Sequence, residues 1–252
     1  MQGAGHCIGI THSRHSLMPS HELLDILNQA ERYLKQQSEL FGDTVYSEER
    51  KMTSSNSRSV EEPWSNSASL VNLNDQICGC QKCDLGKTRT MFVFGTGNPN
   101  ADVMFIGEAP GKDEDEQGEP FVGRAGQLLN KIIEAVALKR EDVFICNILK
   151  CRPPNNRDPL PSEMETCTPY LHKQIELVKP KFIICLGRIS AQWLLKTTST
   201  LTSLRERVHE YQGAKLIVTY HPAALLRNPN WKRPAWEDMK LFKKLYDEMK
   251  ST

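Results

Sequence analysis

The sequence predicts an α/β fold built on a central, mostly parallel sheet. Three observations lead there. Strand-like apolar runs alternate with helix-like ones from Val103 to the C-terminus, as successive β-α-β units do. The chain has 252 residues, 39% of them hydrophobic, enough for one sizeable domain and an appendage. Its mean hydropathy of −0.49 and the lack of any apolar run near the ~20 residues of a membrane span exclude a membrane protein.

Taken in order, the first element is a helix. Across residues 20–41 apolar side chains recur at Leu23, Leu24, Ile26, Leu27, Ala30, Tyr33 and Leu34, with Ser20 as N-cap and Gly42 as the stop. Residues 43–76 are rich in Ser and Asn and read as a flexible linker. The chain thus divides into a tail and amphipathic helix (1–42), a linker (43–76) and a folded domain (77–252). In that domain strands are predicted at 103–106, 143–145, 182–186 and 216–220, and helices at 125–138, 189–196 and 234–249. Open α/β sheets bind ligands beyond the carboxyl ends of their strands, where this chain has Glu108, Asn147, Gly187 and His221.

The net charge of +1 hides an asymmetry, −4 over residues 1–77 and +5 over 78–252. A basic domain suits a phosphate-backbone partner, but charge alone selects no function. The first twenty residues lack the apolar core of a signal peptide, so the protein is expected in the cytoplasm. Eight cysteines there argue against a disulfide framework and leave metal binding, catalysis or burial. Cys80-Gln81-Lys82-Cys83 has the spacing that turns two thiolates onto one centre, with Cys78 nearby. Cys151 precedes the rigid Arg152-Pro153-Pro154, and Cys167 follows sixteen positions later. Cys146 and Cys185 lie within apolar runs and read as buried thiols. Four thiolates from two segments hold either a tetrahedral zinc or a [4Fe–4S] cluster, and spacing does not distinguish them.

Four motifs in order carry a family resemblance: Gly107-Glu108-Ala109-Pro110-Gly111, Pro120-Phe121-Val122-Gly123-Arg124-Ala125-Gly126, Asn147 with Cys151-Arg152-Pro153-Pro154, and His221-Pro222-Ala223-Ala224-Leu225-Leu226-Arg227. Together they resemble the family 4 uracil-DNA glycosylases, from about Cys78 to the C-terminus. The resemblance implies a three-layer α/β/α sandwich and an enzyme that hydrolyses the N-glycosidic bond of uracil in single- or double-stranded DNA; the protein is expected to be a monomer. It also implies that Cys80, Cys83, Cys151 and Cys167 ligate a [4Fe–4S] cluster of structural purpose, with Cys78 spare.

Each proposed role has a physical reason. A base flipped from the duplex needs a flat apolar face, and Phe121 offers one worth about 1–3 kcal/mol of stacking, with Ala109 as a further wall of the base pocket. Asn147 carries the donor and acceptor that match the O4/N3 edge of uracil. His221 is the donor expected at O2, where charge develops as the bond breaks. The best-known branch of the superfamily has Asp where this chain has Ala109, which leaves Glu108 and Asn156 to position water. Arg124, at a helix start, and Arg227 are assigned to the DNA backbone, and an apolar side chain of the loop after His221, Leu225 or Leu226, to a wedge filling the vacated stack, with Leu225 as the DNA-binding choice. Two other readings compete: an iron–sulfur redox protein, and a lesion binder that holds the flipped base without turnover. The short acidic Lys112-Asp113-Glu114-Asp115 argues against the second, since the covalently trapping relative carries a basic insertion there.

Overall fold

The structure, a computed structural model, describes residues 62–251. The expected N-terminal helix, Cys7 and the linker as far as residue 61 lie outside the described residues.

Among the described residues, six strands form one sheet: β1 (Thr96–Gly97), β2 (Val103–Gly107), β3 (Phe144–Asn147), β4 (Phe182–Leu186), β5 (Val208–Tyr211) and β6 (Ala214–Thr219), in the order β1-β3-β2-β4-β6-β5. The inner four run parallel, and the two edge strands run antiparallel to their neighbours. Every residue of β2, β3 and β4 is buried, which is why these strands read as continuous apolar runs. Both edges escape the sequence pattern, since β1 is two residues long and β5 is half-exposed and polar.

Among the described residues, nine α-helices cover the two faces: α1 (Leu70–Ile77), α2 (Leu85–Thr88), α3 (Lys112–Gln117), α4 (Arg124–Ala135), α5 (Pro161–Val178), α6 (Arg188–Leu195), α7 (Leu201–Leu204), α8 (Pro222–Arg227) and α9 (Lys232–Lys250). Alternate strand residues feed two cores. Val103, Phe105 and Ile184 pack against Leu129 and Ile133 of α4 and Met239 and Phe242 of α9. Met104, Ile106 and Ile183 pack against Leu73 of α1, Leu171 and Ile175 of α5 and Leu194 of α6. The result is the three-layer sandwich that the sequence predicts.

Two expectations need correction. The 18-residue helix α5 is absent from the sequence reading because Pro161 and Pro169 break its periodicity. Pro161 occupies the N1 position, where no N–H is needed, and the Glu163 carboxylate accepts the Leu160 N–H at 2.8 Å. The stretch read as linker is also partly folded. A turn at Pro63–Asn66 and helix α1 pack on the core, with Leu73 and Ile77 fully buried and Trp64 edge-on to Tyr170 at 4.9 Å. Ser69, taken as linker composition, is the N-cap of α1, its hydroxyl accepting the Asn72 N–H.

Candidate active site

The register Gly107↔Asn147 and Leu186↔Thr219 brings the strand ends level, so the residues after β2, β4 and β6 and the last of β3 share one rim of the sheet. A cleft of about 710 Å³ opens there. Glu108, Ala109, Phe121, Asn147, Asn156, His221 and Arg227 all line it.

Phe121 holds a left-handed backbone, φ 54°, which costs a bulky residue about 1–3 kcal/mol. Gly107 makes room for its ring. A β-carbon on Gly107 would stand 2.3 Å from the Asn147 Oδ1 and 2.7 Å from the Phe121 ring, so the close approach of these two side chains requires glycine. Asn147 is 2% exposed, and its Oδ1 has no hydrogen-bond partner among the described residues. A buried acceptor without a donor costs about 1–3 kcal/mol and is the mark of a site completed by a ligand.

His221 is the N-cap of α8, its Nδ1 accepting the Ala223 N–H at 3.2 Å. Burial, then the neighbouring Arg227 charge, pushes its pKa down to about 4. The imidazole is therefore neutral at physiological pH and carries its proton on Nε2. Its ring lies 5.5 Å from that of Phe121. Behind it, the buried Asp238 accepts from the Thr219 hydroxyl and from both Arg205 Nε and Nη2, at 2.7, 2.7 and 3.0 Å. The Arg205 guanidinium lies 4.5 Å above the Tyr220 ring, which stacks on Trp231. The end of β6 is thus anchored on both sides of the turn into His221.

Glu108 has its pKa raised to about 7, chiefly by burial and then by Asp158, with Arg188 opposing. Arg188 and Asp158 form an ion pair at 3.4 Å across the cleft rim. Asn156 accepts from Arg152 Nε at 2.8 Å and has a left-handed backbone. Glu114 staples two motif loops together: one carboxylate oxygen accepts the Gly111 N–H and the other accepts those of Val122 and Gly123. Glu114, Asp158 and Arg188 escaped the sequence reading. The signal for Glu114 was available, since it stands at the third position of a helix capped by Gly111.

Away from the cleft, Cys80 and Cys83 lie in the turn just before α2, Cys151 follows β3, and Cys167 lies in mid-α5. The last two are buried, and the first two pack on the same core. Burial pushes the Cys167 thiol up to about 12, with Cys151 and Cys80 adding to the rise, and Cys83 and Cys80 in turn raise Cys151, so all four thiols act on one another. Two donors aim at these sulfurs, Arg89 Nη1 at Cys151 and the Tyr170 hydroxyl at Cys80, at 3.3 and 3.2 Å. Such donors suit thiolates and fit an anionic metal–thiolate group. Among the described residues, no group of three or more His, Cys, Asp or Glu side chains is arranged to hold a metal ion. Cys78 is exposed, and Cys146 and Cys185 are fully buried in β3 and β4.

The profile of the uracil DNA glycosylase superfamily matches residues 94–240, a span that takes in every strand and the whole cleft. The chain is 46% identical over 180 residues to a type-4 uracil-DNA glycosylase of Archaeoglobus fulgidus, covering 68% of this chain and 90% of that one. It is 48% identical over 178 residues to the type-4 enzyme of Saccharolobus solfataricus, covering 67% and 82%. A type-5 uracil-DNA glycosylase of Pyrobaculum aerophilum is 29% identical over 146 residues, covering 51% and 64%. The chain belongs to the type-4 uracil-DNA glycosylases.

One residue expected to contact DNA in this glycosylase is placed differently by the structure. Leu225 is 2% exposed, so it packs into the fold and cannot wedge into a duplex. The segment 222–227 is helical, and helical spacing turns Leu225 inward and its neighbour Leu226 outward. Arg124 does begin a helix, as expected, and is exposed, but it does not line the cleft. The N–H groups of Val122 and Gly123, just ahead of that helix, are already taken by Glu114.

Proposed function

We propose that this chain excises uracil from DNA by hydrolysing its N-glycosidic bond, leaving an abasic site for base excision repair. The unpartnered, buried Asn147 Oδ1 carries the reading, because the N3–H of uracil is the donor that it lacks. Cytosine has no proton at N3, so the same oxygen would face a lone pair, while the Asn147 NH₂ serves O4. Phe121 and Ala109 form the walls of the base pocket, and extrusion of the base into it costs a few kcal/mol that a G·U mismatch lowers. As the bond lengthens, negative charge gathers at O2, where the neutral His221 Nε2–H donates. Arg227, which already acts electrostatically on His221, adds positive potential for the departing anion. Glu108, with its pKa near 7, and Asn156 orient the water that attacks the sugar.

On the DNA side, Arg227 and Arg124 meet phosphates, and Leu226, 38% exposed, replaces Leu225 as the apolar side chain for the vacated stack. Cys80, Cys83, Cys151 and Cys167 would hold a [4Fe–4S] cluster, which when bound ties the segment before α2, the loop after β3 and α5 together. The mutual influence of the four thiols and the Arg89 and Tyr170 donors aimed at two of the sulfurs support an anionic metal–thiolate group there. The reading places the enzyme in the cytoplasm, where thiols stay reduced.

The test is incubation with oligonucleotides containing uracil or only normal bases, followed by alkali. Strand cleavage at uracil alone is expected. Retention of the uracil strand without cleavage would indicate a lesion binder, and neither effect a redox protein.

A further inference from the structure

Lys150 is 0% exposed, yet among the described residues no carboxylate pairs with it. Its ammonium donates to two neutral acceptors, the backbone carbonyl of Asn147 at 2.7 Å and Gln174 Oε1 at 2.6 Å. Gln174, itself fully buried in α5, is fixed in turn by donating to the Phe94 carbonyl. Burying an ammonium without a counter-charge costs several kcal/mol, and two neutral acceptors offset only part of that. The negative charge must come from nearby.

The groups at hand are cysteines. Lys150 immediately precedes Cys151, and Gln174, the side chain that accepts from its ammonium, lies two turns along α5 from Cys167. One side chain therefore stands between the cysteine group and the residue that reads the base.

We propose that Lys150 is the buried counter-cation of the Cys151/Cys167 thiolates and at the same time the strut that sets Asn147, so that the metal–thiolate group and the uracil pocket share one side chain. The inference rests on the reading of the four cysteines as cluster ligands given above. Lys150 is a positioning residue, since it touches neither the reacting atoms nor solvent. A cation beside a cluster stabilises its reduced, more negative form, so the ammonium raises the reduction potential. Its hydrogen bond to the Asn147 carbonyl holds the end of β3 in register for the base, and removing an outer partner of this kind typically costs about 10–100-fold.

The experiment uses purified, iron-loaded full-length protein and two variants. Lys150→Met removes charge and donor, and Lys150→Gln removes the charge but keeps a donor. The cluster potential is read by voltammetry, and binding by titration with DNA carrying a non-cleavable 2′-fluoro-deoxyuridine against DNA carrying an abasic analogue. Both variants should show a more negative potential. The methionine variant should also lose about tenfold or more in affinity for the uracil analogue, with the abasic DNA bound as before. The glutamine variant should lose less. Should the methionine variant fail to fold, the glutamine variant carries the test on the potential. An unchanged potential in a folded, iron-loaded variant overturns the counter-cation role, and unchanged uracil affinity in Lys150→Met overturns the strut. Wild-type protein without iron would instead overturn the cluster reading on which the inference rests.

Discussion

Gly126, in the first turn of α4, lies directly against the backbone of Phe121: a β-carbon there would stand 1.8 Å from the Phe121 carbonyl oxygen. Phe121 has φ 54°, so this contact supports a backbone conformation that few aromatic residues adopt. Gly126→Ala is expected to displace Phe121 from the cleft and to lower single-turnover uracil excision by about tenfold or more. Overpacking of this kind costs about 1–3 kcal/mol, and the melting temperature should fall by several degrees, at about 2–4 °C per kcal/mol. Calorimetry and single-turnover kinetics check both. A lowered melting temperature with an unchanged rate would mean that Phe121 holds its loop without touching the base.

Truncation should separate the appendage from the fold. Deleting residues 1–61 is expected to leave excision and thermal stability near the full-length values. Deleting 1–76 removes Leu73, fully buried, and Trp64, packed on Tyr170. Losing one buried leucine alone costs about 2–5 kcal/mol, so the shorter protein should melt much earlier or come out insoluble. Equal stability of the two truncations would show that α1 contributes nothing to the core.

Residues 62–76 show where reading from sequence stops. Buried parallel strands announce themselves as apolar runs, and the residues that follow them inherit a place at the site, which is why Glu108, Asn147 and His221 were legible. Helix α1 is only eight residues long and presents Asn72, Asn74 and Asp75 to solvent, so its composition is that of a linker while its Leu73 and Ile77 belong to the core. Helix α5 was hidden by Pro161 and Pro169. Leu225 and Leu226 are the same residue type side by side, and only helical phase decides which one faces solvent. Asp158 and Arg188 meet through the fold across 30 positions, a pairing that no local pattern encodes.

The pH dependence follows from two opposed shifts. Glu108 has a folded pKa of about 7 against an ordinary 4.5, raised by burial and Asp158, so its contribution to stability is present below 4.5 and is lost as pH rises through 7. His221 has a folded pKa of about 4 against 6.5, so its contribution is present above 6.5 and is lost as pH falls through 4. For catalysis, an ionised Glu108 that orients water should give single-turnover excision a rise with an apparent pKa near 7. His221 stays neutral above pH 5 and should add no second limb between pH 5 and 8. The residual activity of Glu108→Gln should be flat over this range; persistence of the rise would assign it to another group.

The cysteines should sort by position. Cys151→Ser and Cys167→Ser are expected to yield protein without the broad visible absorbance of an iron–sulfur cluster, while Cys78→Ser, at an exposed residue, keeps it. Cys146 and Cys185 are fully buried in central strands, where a serine hydroxyl would cost about 1–3 kcal/mol unpaired. Alanine is the better probe there, and both alanine variants should retain the cluster. Absorbance per protein, with iron analysis, gives the answer, and full cluster content in Cys167→Ser would remove that residue from the ligand set.

Asn147 offers the sharpest test of substrate choice. Its Oδ1 is buried and unpartnered, and Gly107 leaves it room beside the Phe121 ring. In the proposed complex the amide donates to O4 of uracil and accepts from N3–H. Asn147→Asp changes few atoms but exchanges the donor for an acceptor oxygen, which would face O4 with repulsion. The same oxygen suits the N4 amino group of cytosine, as carboxylates do in base recognition. Reading cytosine fully also requires a donor to its bare N3, which the carboxyl supplies only when protonated. The loss for uracil should therefore exceed any gain for cytosine, because a site built around a hydrogen bond rejects a ligand that leaves its polar groups unpaired. At about 1–3 kcal/mol per unpaired buried group, uracil excision should drop at least tenfold and by roughly a hundredfold if both contacts fail. Single-turnover rates on matched uracil and cytosine oligonucleotides measure both changes. Undiminished uracil excision by Asn147→Asp would leave Asn147 as a strand-end residue and transfer base reading to another side chain of the cleft.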